Sequence, residues 1–202
     1  MLNTLNPIER LALVLAALLL LLSAGLYLYT KIDPQADRAS AAGGPFVLQH
    51  QTGPVSLSDF SGKGVILLFG YTSCPDVCPS GLANLAAALA RLNDTQQQQL
   101  QPIFISVDPD RDNLAQLDQY SRYFHPNLLG LTASEAAIDR VVSAYGAFYR
   151  KVEMPGSSLG YSVDHSASLY LIDRQGQLVQ TLNHNAPVTE LASAIQQLLQ
   201  GD

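Results

Sequence analysis

The sequence predicts an α/β fold, a three-layer sandwich in which helices cover both faces of a sheet, with a short hairpin before the sheet and an apolar helix at the amino end. Two observations predict this class. A continuous apolar run typical of a buried strand lies at residues 65–69, mainly apolar runs follow at 103–107 and 168–172, and segments with helical periodicity lie between them. A further hairpin strand and a closing helix follow the last run. Alternating strands and helices of this kind are typical of an α/β/α sandwich.

The amino end of the chain is predicted to be a membrane anchor. Residues 11–29 contain no charged side chain, and as a helix they are long enough to cross about 30 Å of hydrocarbon. Residues 1–10 then form a short cytoplasmic tail, and residues 30–45, which include many Ala, Gly, Asp and Ser, form a flexible tether. A cleaved signal peptide with a small-residue site at 23–25 is the alternative, but the apolar segment continues beyond that site.

The remainder of the chain is long enough for one ordinary domain, predicted at 46–202, and a hydrophobic content of 48% is ample for a core. Basic residues lie on both sides of the apolar stretch, so the positive-inside rule does not decide its orientation. Because few residues precede the anchor, we expect a single-pass protein of a bacterial inner membrane with its domain in the periplasm. The formal charge of −6 without a basic cluster argues against a nucleic-acid partner.

The first elements of the domain surround a central strand. Residues 46–48 and 55–57 alternate weakly about a turn and predict a short hairpin beside the sheet. Residues 65–69 show no polar alternation, as expected of a strand covered on both faces. A helical stripe follows at 82–92, and the glutamines at 96–99 are interpreted as a solvated loop or a frayed helix end.

The later elements alternate in the same way. In chain order they are a strand at 103–107, a polar turn at 108–112 that caps a helix to about 124, a short strand at 128–131, a helix to about 145, an edge strand at 148–153, an irregular stretch at 154–162, a hairpin of 168–172 and 178–182, and a closing helix at 187–199. Thr132 and Glu135 have the spacing of a capping box for the helix that ends near 145. The irregular stretch is notable because long loops in compact domains are often functional.

Both cysteines of the chain lie between the first central strand and its helix, within Gly-Tyr-Thr-Ser-Cys-Pro-Asp-Val-Cys-Pro at 70–79. Cys74 and Cys78 are separated so that two thiols can meet across one helical turn or a tight loop. Pro75 and Pro79 stiffen the loop and delay the helix, and a helix amino end favours thiolate over thiol. The pair is therefore a candidate disulfide, a candidate soft-metal site, or both.

Two alternatives to a functional pair are weaker. A purely structural disulfide would close a very short loop and remove little chain entropy. A zinc site would need more ligands, and the sequence has no second cysteine pair or Cys/His cluster with zinc-finger spacing.

The order of strand, cysteines and helix resembles the thioredoxin fold, with clear departures. Three residues separate the cysteines where the thioredoxin motif has two, and the chain has no tryptophan. Where thioredoxins place a cis-proline before the strand that corresponds to 168–172, this chain has Ala167, and His165 lies two residues earlier. By this resemblance, we expect the imidazole of His165 to face the thiols.

This combination is the signature of the Sco/SenC family of copper-binding assembly factors for cytochrome c oxidase. The resemblance covers about 46–199 and the anchor, and it is carried by four motifs, Phe-Gly-Tyr-Thr-Ser-Cys-Pro-Asp-Val-Cys-Pro at 69–79, Ser-Val-Asp-Pro-Asp-Arg-Asp at 106–112, Val-Asp-His-Ser-Ala at 163–167 and Tyr-Leu-Ile-Asp at 170–173. Asp110 stands where the family often has Glu. The resemblance implies that Cys74, Cys78 and His165 bind copper.

The chemistry of these three residue types agrees with that implication. Two thiolates and an imidazole are a soft donor set that suits Cu(I), and Cu(II) is allowed if an oxygen donor joins. Asp164 and Asp108 are candidates for tuning the site or for a transient oxygen ligand, whereas Asp110 and Asp112 are interpreted as turn-forming and capping carboxylates. The other histidines, His50, His125 and His184, are placed in polar loops away from the site, and Met154 is assigned to packing.

Two functions from different classes follow. The first is a membrane-anchored chaperone that delivers copper to the binuclear copper centre of a cytochrome c oxidase subunit, with no turnover of its own and a copper donor that the sequence does not identify. The second is a thiol-disulfide oxidoreductase that reduces the acceptor's cysteines through Cys74 and Cys78. His165 favours the first, because a dithiol reductase needs no imidazole there. A thiol peroxidase is disfavoured, because the threonine that peroxiredoxins place three residues before the reactive cysteine is replaced by Tyr71.

Overall fold

The computed structural model describes residues 6, 8, 13, 15–23 and 43–201. The chain divides into two units, Met1–Ser40 and Ala41–Asp202. In the first unit residues 15–23 are helical, and the Ser23 hydroxyl donates to the Leu20 carbonyl at 2.9 Å. No helix within these described residues has both the length and the apolar character needed to span a bilayer. Much of the predicted anchor at 11–29 lies outside the described residues, as do most of the tail and the tether, so their bounds stay predictions.

The second unit begins with the predicted hairpin. Strand β1 (Val47–His50) pairs antiparallel with β2 (Gly53–Ser56), and a 3₁₀ helix (Leu57–Phe60) follows. The remaining elements, in chain order, are β3 (Gly64–Gly70), α1 (Val77–Leu89), α2 (Asp94–Gln98), β4 (Leu100–Ser106), α3 (Leu114–Phe124), β5 (Leu129–Leu131), α4 (Glu135–Ala144), β6 (Tyr149–Glu153), β7 (Tyr161–His165), β8 (Ser168–Ile172), β9 (Leu178–Asn183) and α5 (Val188–Gln200).

The main sheet has five strands in the order β5-β4-β3-β8-β9. Strands β3, β4 and β5 are parallel, and β8 and β9 run antiparallel to their neighbours. Every residue of β3 is buried, as its continuous apolar sequence predicts for a central strand. The cysteine loop leaves the carboxyl end of this strand, so the two thiols lie at the end of the sheet centre.

Helices cover both faces of this sheet. On one face of β3, a Cβ built at Gly64 would lie 2.9 Å from Leu198 of α5, and Leu68 packs beneath Gly81 of α1. On the other face the Phe69 ring lies 6.1 Å from the ring of Tyr145, the residue that caps the carboxyl end of α4. The predicted thioredoxin-like α/β sandwich is therefore confirmed for the described domain, with a mixed sheet.

Three local predictions about helix ends were wrong. Helix α1 already begins at Val77, so Pro79 lies in its first turn, where a missing N–H breaks no helical hydrogen bond. The segment predicted as a loop or frayed end forms the separate helix α2, capped reciprocally by Asn93 and Gln96. The helix after the 108–112 turn is capped by Asn113 and by no aspartate of that turn.

The proposed capping box of Thr132 and Glu135 was also wrong. Helix α4 begins at Glu135 after Ser134, whose side chain makes no cap hydrogen bond. The Thr132 hydroxyl instead donates to the Ser106 carbonyl at 3.2 Å, and the Thr132 backbone bridges to Gln49 of the first hairpin. Thr132 therefore joins the hairpin to the sheet.

The segment predicted as an edge strand belongs to a second hairpin. Strand β6 pairs with β7 in a two-stranded antiparallel sheet that is separate from the main one. The irregular stretch is therefore shorter than predicted, because its last residues, Tyr161 and Ser162, begin β7. His165 ends β7, so this hairpin brings the imidazole to the cysteine loop.

Candidate metal centre

The cysteine loop places both thiols at the amino end of α1. Cys78 lies in the first turn of the helix and is 1% exposed, while Cys74 precedes the helix and is 8% exposed. A Cβ added at Gly70 would lie 2.6 Å from the Cys78 sulfur, so a glycine is needed at the end of β3 to leave room for that sulfur. Neither cysteine is in a disulfide in this structure.

Asp112 holds the loop that carries Cys74. Its buried carboxylate accepts from the Thr72 backbone N–H at 2.9 Å, from the Thr72 hydroxyl at 2.6 Å and from the Ser106 hydroxyl at 2.6 Å. The interpretation of Asp112 as a helix-capping carboxylate was wrong. The residue fixes the cysteine loop to the end of β4, a role that only the position of Asp112 within the 106–112 motif hinted at.

His165 presents one ring nitrogen to the thiols. Its Nδ1 lies 3.0 Å from the Ser166 carbonyl, which can only accept, so Nδ1 carries the hydrogen and Nε2 keeps a free lone pair. Nε2 lies 3.3 Å from the Cys78 sulfur. The Tyr71 ring meets the imidazole edge to face, with centroids 5.8 Å apart. The ring orientation is thus set by a carbonyl on one side and an aromatic ring on the other.

Cys74, Cys78 and His165 form one cluster. Their two sulfurs and one ring nitrogen all lie within 4.8 Å of one another. Metal–sulfur bonds of about 2.3 Å and metal–nitrogen bonds of about 2.0 Å place donors on one ion about 4 Å apart, so the three atoms fit a shared ion with little movement. The sequence-predicted site residues are therefore brought together.

The pKa values of the two thiols are shifted in opposite directions. Interaction with the Cys78 thiol lowers the pKa of Cys74 from 9.0 to about 3, against the effect of burial. The same interaction raises the pKa of Cys78, which gives the hydrogen, and burial raises this pKa further. The opposite directions of the two pKa shifts favour a thiolate at Cys74 and a thiol at Cys78.

The aspartates considered for the site lie outside the cluster. Successive residues of a strand point to opposite faces, so Asp164 points away from the face that carries His165. Its side chain is half-exposed and pairs with Arg150 at 2.8 Å. Asp108 is fully buried and accepts from the Arg111 guanidinium and, at 2.7 Å, from the Tyr161 hydroxyl. Asp110 pairs with Lys151 at 2.7 Å. Neither Asp108 nor Asp164 contributes a donor atom to the cluster.

The remaining histidines also lie apart from the cluster. His50 was expected in a polar loop, but it is buried at the end of β1, with Nε2 3.0 Å from the Asp118 carboxylate. His184 contacts the Ala167 carbonyl at 3.2 Å. Burial lowers the pKa of His125. Within the part of the chain that the structure describes, none of these three histidines contributes a donor atom to the cluster.

One side of the cluster opens to solvent. A shallow depression of about 550 Å³ is lined by Cys74, His165, Pro75, Val77 and Phe148, among others. The Phe148 side chain on its rim is 59% exposed. A partner molecule can therefore approach the Cys74 sulfur and the imidazole from this side.

Comparison with known sequences places the chain in a family. The SCO1/SenC family profile matches residues 34–200. The mitochondrial protein SCO1 homolog 1 of Arabidopsis thaliana is 40% identical over 166 residues, which are 82% of this chain and 49% of that protein. The chain thus spans about half the length of that curated relative.

Solved structures of similar proteins have the same fold. Arabidopsis thaliana ScoI with copper bound is 38% identical, with a TM-score of 0.72 over 79% of this chain and 98% of the other. Bradyrhizobium japonicum ScoI with copper bound is 36% identical, with a TM-score of 0.70 over 78% and 99%. BsSco, described as a cytochrome c oxidase assembly protein with a disulfide switch, is 25% identical, with a TM-score of 0.62 over 80% and 95%. The chain belongs to the SCO1/SenC family.

Proposed function

We propose that this chain is a copper chaperone that binds copper through Cys74, Cys78 and His165 and delivers it to the binuclear copper centre of a cytochrome c oxidase subunit. The observation that carries the proposal is the convergence of two sulfurs and one imidazole nitrogen within 4.8 Å. These donors are soft, as Cu(I) prefers, and similar proteins have been solved with copper bound.

The open side of the cluster supports transfer in addition to storage. Three protein donors leave room for an incoming ligand, and the depression beside Cys74 and His165 gives that ligand access. Thiols of an acceptor site can therefore approach the metal cargo while the chaperone still holds it. His165 and Cys74 line the depression, whereas Cys78 is buried behind them and is expected to be the last donor to part from the metal.

The location of the chaperone is part of the proposal. Residues 11–29 include no charged residue. The described leucines between 15 and 22 lie on a helix, and each is at least half exposed. A helix that is apolar on all sides suits a lipid environment. We therefore place the protein in a bacterial inner membrane, with 11–29 as a single anchor, 30–45 as a tether and the copper-binding domain in the periplasm beside the oxidase subunit.

Copper loading of the full chain in detergent tests the proposal. Under reducing conditions the parent chain should retain one Cu(I) ion per chain after desalting. Cys74→Ser, Cys78→Ser and His165→Ala should each lose or weaken that retention, whereas His125→Ala, a histidine outside the cluster, should retain copper like the parent. Unchanged retention in all three cluster variants would exclude this site.

A thiol-disulfide oxidoreductase is the second candidate, favoured by the lowered pKa of Cys74 and its partial access to solvent. In that reaction the Cys74 thiolate attacks an acceptor disulfide and releases one acceptor thiolate. Cys78 then attacks the mixed disulfide and releases the second, so two electrons pass to the acceptor and a Cys74–Cys78 disulfide remains. His165→Ala separates the functions, because it should weaken Cu(I) binding and leave the reduction of a model disulfide peptide largely intact.

A further inference from the structure

His165 depends on a hairpin that is not part of the main sheet. Among the described residues, strands β6 and β7 pair with each other and with no other strand, so no sheet hydrogen bond within that part of the chain fixes β7 relative to the cysteine loop. The position of the imidazole must therefore be set by other contacts. The strongest polar contacts of β7 with the rest of the domain are made at its first residue, Tyr161.

Arg111 makes the central contact. Its Nη1 donates to the Tyr161 carbonyl at 2.9 Å and to the Leu159 carbonyl at 3.3 Å, so one side chain holds the backbone where β7 begins. The guanidinium carbon also lies 3.8 Å from the centre of the Tyr161 ring. The Arg111 side chain is only 21% exposed, which strengthens these interactions relative to surface contacts.

The buried Asp108 carboxylate holds the Arg111 side chain in place. This fully buried carboxylate accepts from Arg111 Nε through one oxygen and from the Tyr161 hydroxyl at 2.7 Å through the other. A buried carboxylate needs such partners to be tolerated, so Asp108, Arg111 and Tyr161 hold one another in a defined arrangement. This arrangement ties the beginning of β7 to the turn after β4.

The same contacts extend toward the cluster through Tyr71. The Arg111 guanidinium lies 5.4 Å from the centre of the Tyr71 ring, and the Tyr71 ring in turn meets the His165 ring at 5.8 Å. The Tyr71 hydroxyl accepts from the Val163 backbone N–H at 3.4 Å. Tyr161, Val163 and His165 lie on one face of β7, because side chains alternate along a strand. The contacts thus reach from Arg111 to the imidazole along one face.

We infer that Arg111 is a positioning residue for His165, acting through Tyr161 and Tyr71 to hold the imidazole within reach of the two sulfurs. The inference rests on the proposed function, since it assigns to Arg111 part of the metal affinity of that site. Arg111 does not touch the metal-binding atoms. Removal of the Arg111 side chain lets β7 shift. The imidazole of His165 is then away from the metal for part of the time, while the two thiols remain in place.

A double-mutant cycle on Cu(I) affinity tests the inference. The affinities of the full-length parent, Arg111→Met, His165→Ala and the double variant are measured by competition with a chromophoric Cu(I) chelator. Arg111→Met should weaken binding by about 10- to 100-fold, the range typical of residues that orient a metal ligand. In the His165→Ala background the same change should have almost no effect, because the ligand through which Arg111 acts is absent.

Two further variants separate positioning from general destabilisation. Tyr161→Phe keeps the ring beside the guanidinium and removes only the hydroxyl that donates a hydrogen bond to Asp108. It should weaken Cu(I) binding in the parent and leave Cu(I) binding unchanged in the His165→Ala background. This variant keeps the test valid even if Arg111→Met folds poorly. Arg140→Met removes an exposed arginine of α4 and should bind like the parent.

The outcomes distinguish the inference from the proposed function. If His165→Ala binds Cu(I) as tightly as the parent, the proposed site fails. If His165→Ala weakens binding but Arg111→Met and Tyr161→Phe do not, or if their losses simply add to that of His165→Ala, the site stands and the positioning role of Arg111 is overturned.

Discussion

The Asp112 carboxylate accepts both the backbone N–H and the hydroxyl of Thr72, two residues before Cys74, at 2.9 and 2.6 Å. This pair joins the cysteine loop to the residues that follow β4. The position of the Cys74 loop therefore depends on a carboxylate that lies outside the cluster of Cys74, Cys78 and His165.

Asp112→Ala is expected to lower the free energy of unfolding by about 2–4 kcal/mol, because it leaves the Thr72 N–H and the buried Ser106 hydroxyl without an acceptor. Urea unfolding of the metal-free chain measures the loss. Glu153→Ala, at an exposed carboxylate of β6, is the control and should change stability by less than about 0.5 kcal/mol. Equal effects of the two substitutions would contradict the role assigned to Asp112.

Gly70→Ala is expected to disturb Cys78 directly. The added methyl group would lie 2.6 Å from the Cys78 sulfur and 2.7 Å from the Phe104 ring, so one of them must move. We expect a loss of about 1–3 kcal/mol in stability and weaker Cu(I) binding in the chelator competition. Gly44→Ala is the matched control, because its methyl group meets Ala144 at an ordinary 3.4 Å. Parent-like Cu(I) affinity in Gly70→Ala would contradict this account, because it would show that the Cys78 sulfur can move without loss of binding.

Cys74 should be the reactive thiol of the reduced, metal-free chain. Because its pKa is lowered to about 3, Cys74 is expected to be a thiolate throughout the range from pH 5 to pH 8, so its alkylation by iodoacetamide should change little across that range. An ordinary thiol would slow about tenfold per pH unit over this range. Peptide mapping after brief labelling should find the label on Cys74 and little on Cys78, whose pKa is raised. Predominant labelling of Cys78 would reverse the assignment.

The contact between His50 and Asp118 should make stability depend on pH. Burial acts to raise the pKa of Asp118, but hydrogen bonds from Arg122 and His50 outweigh it and lower the pKa overall. A lowered carboxylate pKa stabilises the fold above the unfolded value of about 4, and this contribution is lost as the pH falls through the folded value. Asp118→Asn should therefore cost about 1–2 kcal/mol at pH 7 and less at pH 3. Urea unfolding at both pH values measures the difference, and an equal cost at each would contradict this account.

The fold was predictable where burial determines the sequence. Strand β3 is buried on both faces and therefore consists of apolar residues and glycine, which makes it recognisable without any partner. Helix α2 has no buried residue and consists of polar side chains, so no apolar periodicity marks it. Strand β7 was missed because only Val163 within it is buried, and its pairing with β6 depends on residues across an irregular loop.

The three residues of the cluster were predictable from the sequence, whereas the contacts that support them were not. Cys74 and Cys78 are close in sequence, and the family resemblance supplied His165. The support comes from contacts between distant residues, such as Asp112 with Thr72 and Arg111 with Tyr161, and a single sequence carries no signal for such pairs. Asp110 and Asp112 were therefore interpreted as turn and cap residues, although Asp112 is buried and anchors the cysteine loop.

Copper K-edge X-ray absorption of the Cu(I)-loaded full chain tests the central claim most directly, because it counts the donor atoms on the metal. The account predicts two sulfur donors and one nitrogen donor in the parent, and loss of the nitrogen contribution in His165→Ala. A spectrum with sulfur donors alone in the parent, unchanged in His165→Ala, would contradict the assignment of His165 as a copper ligand.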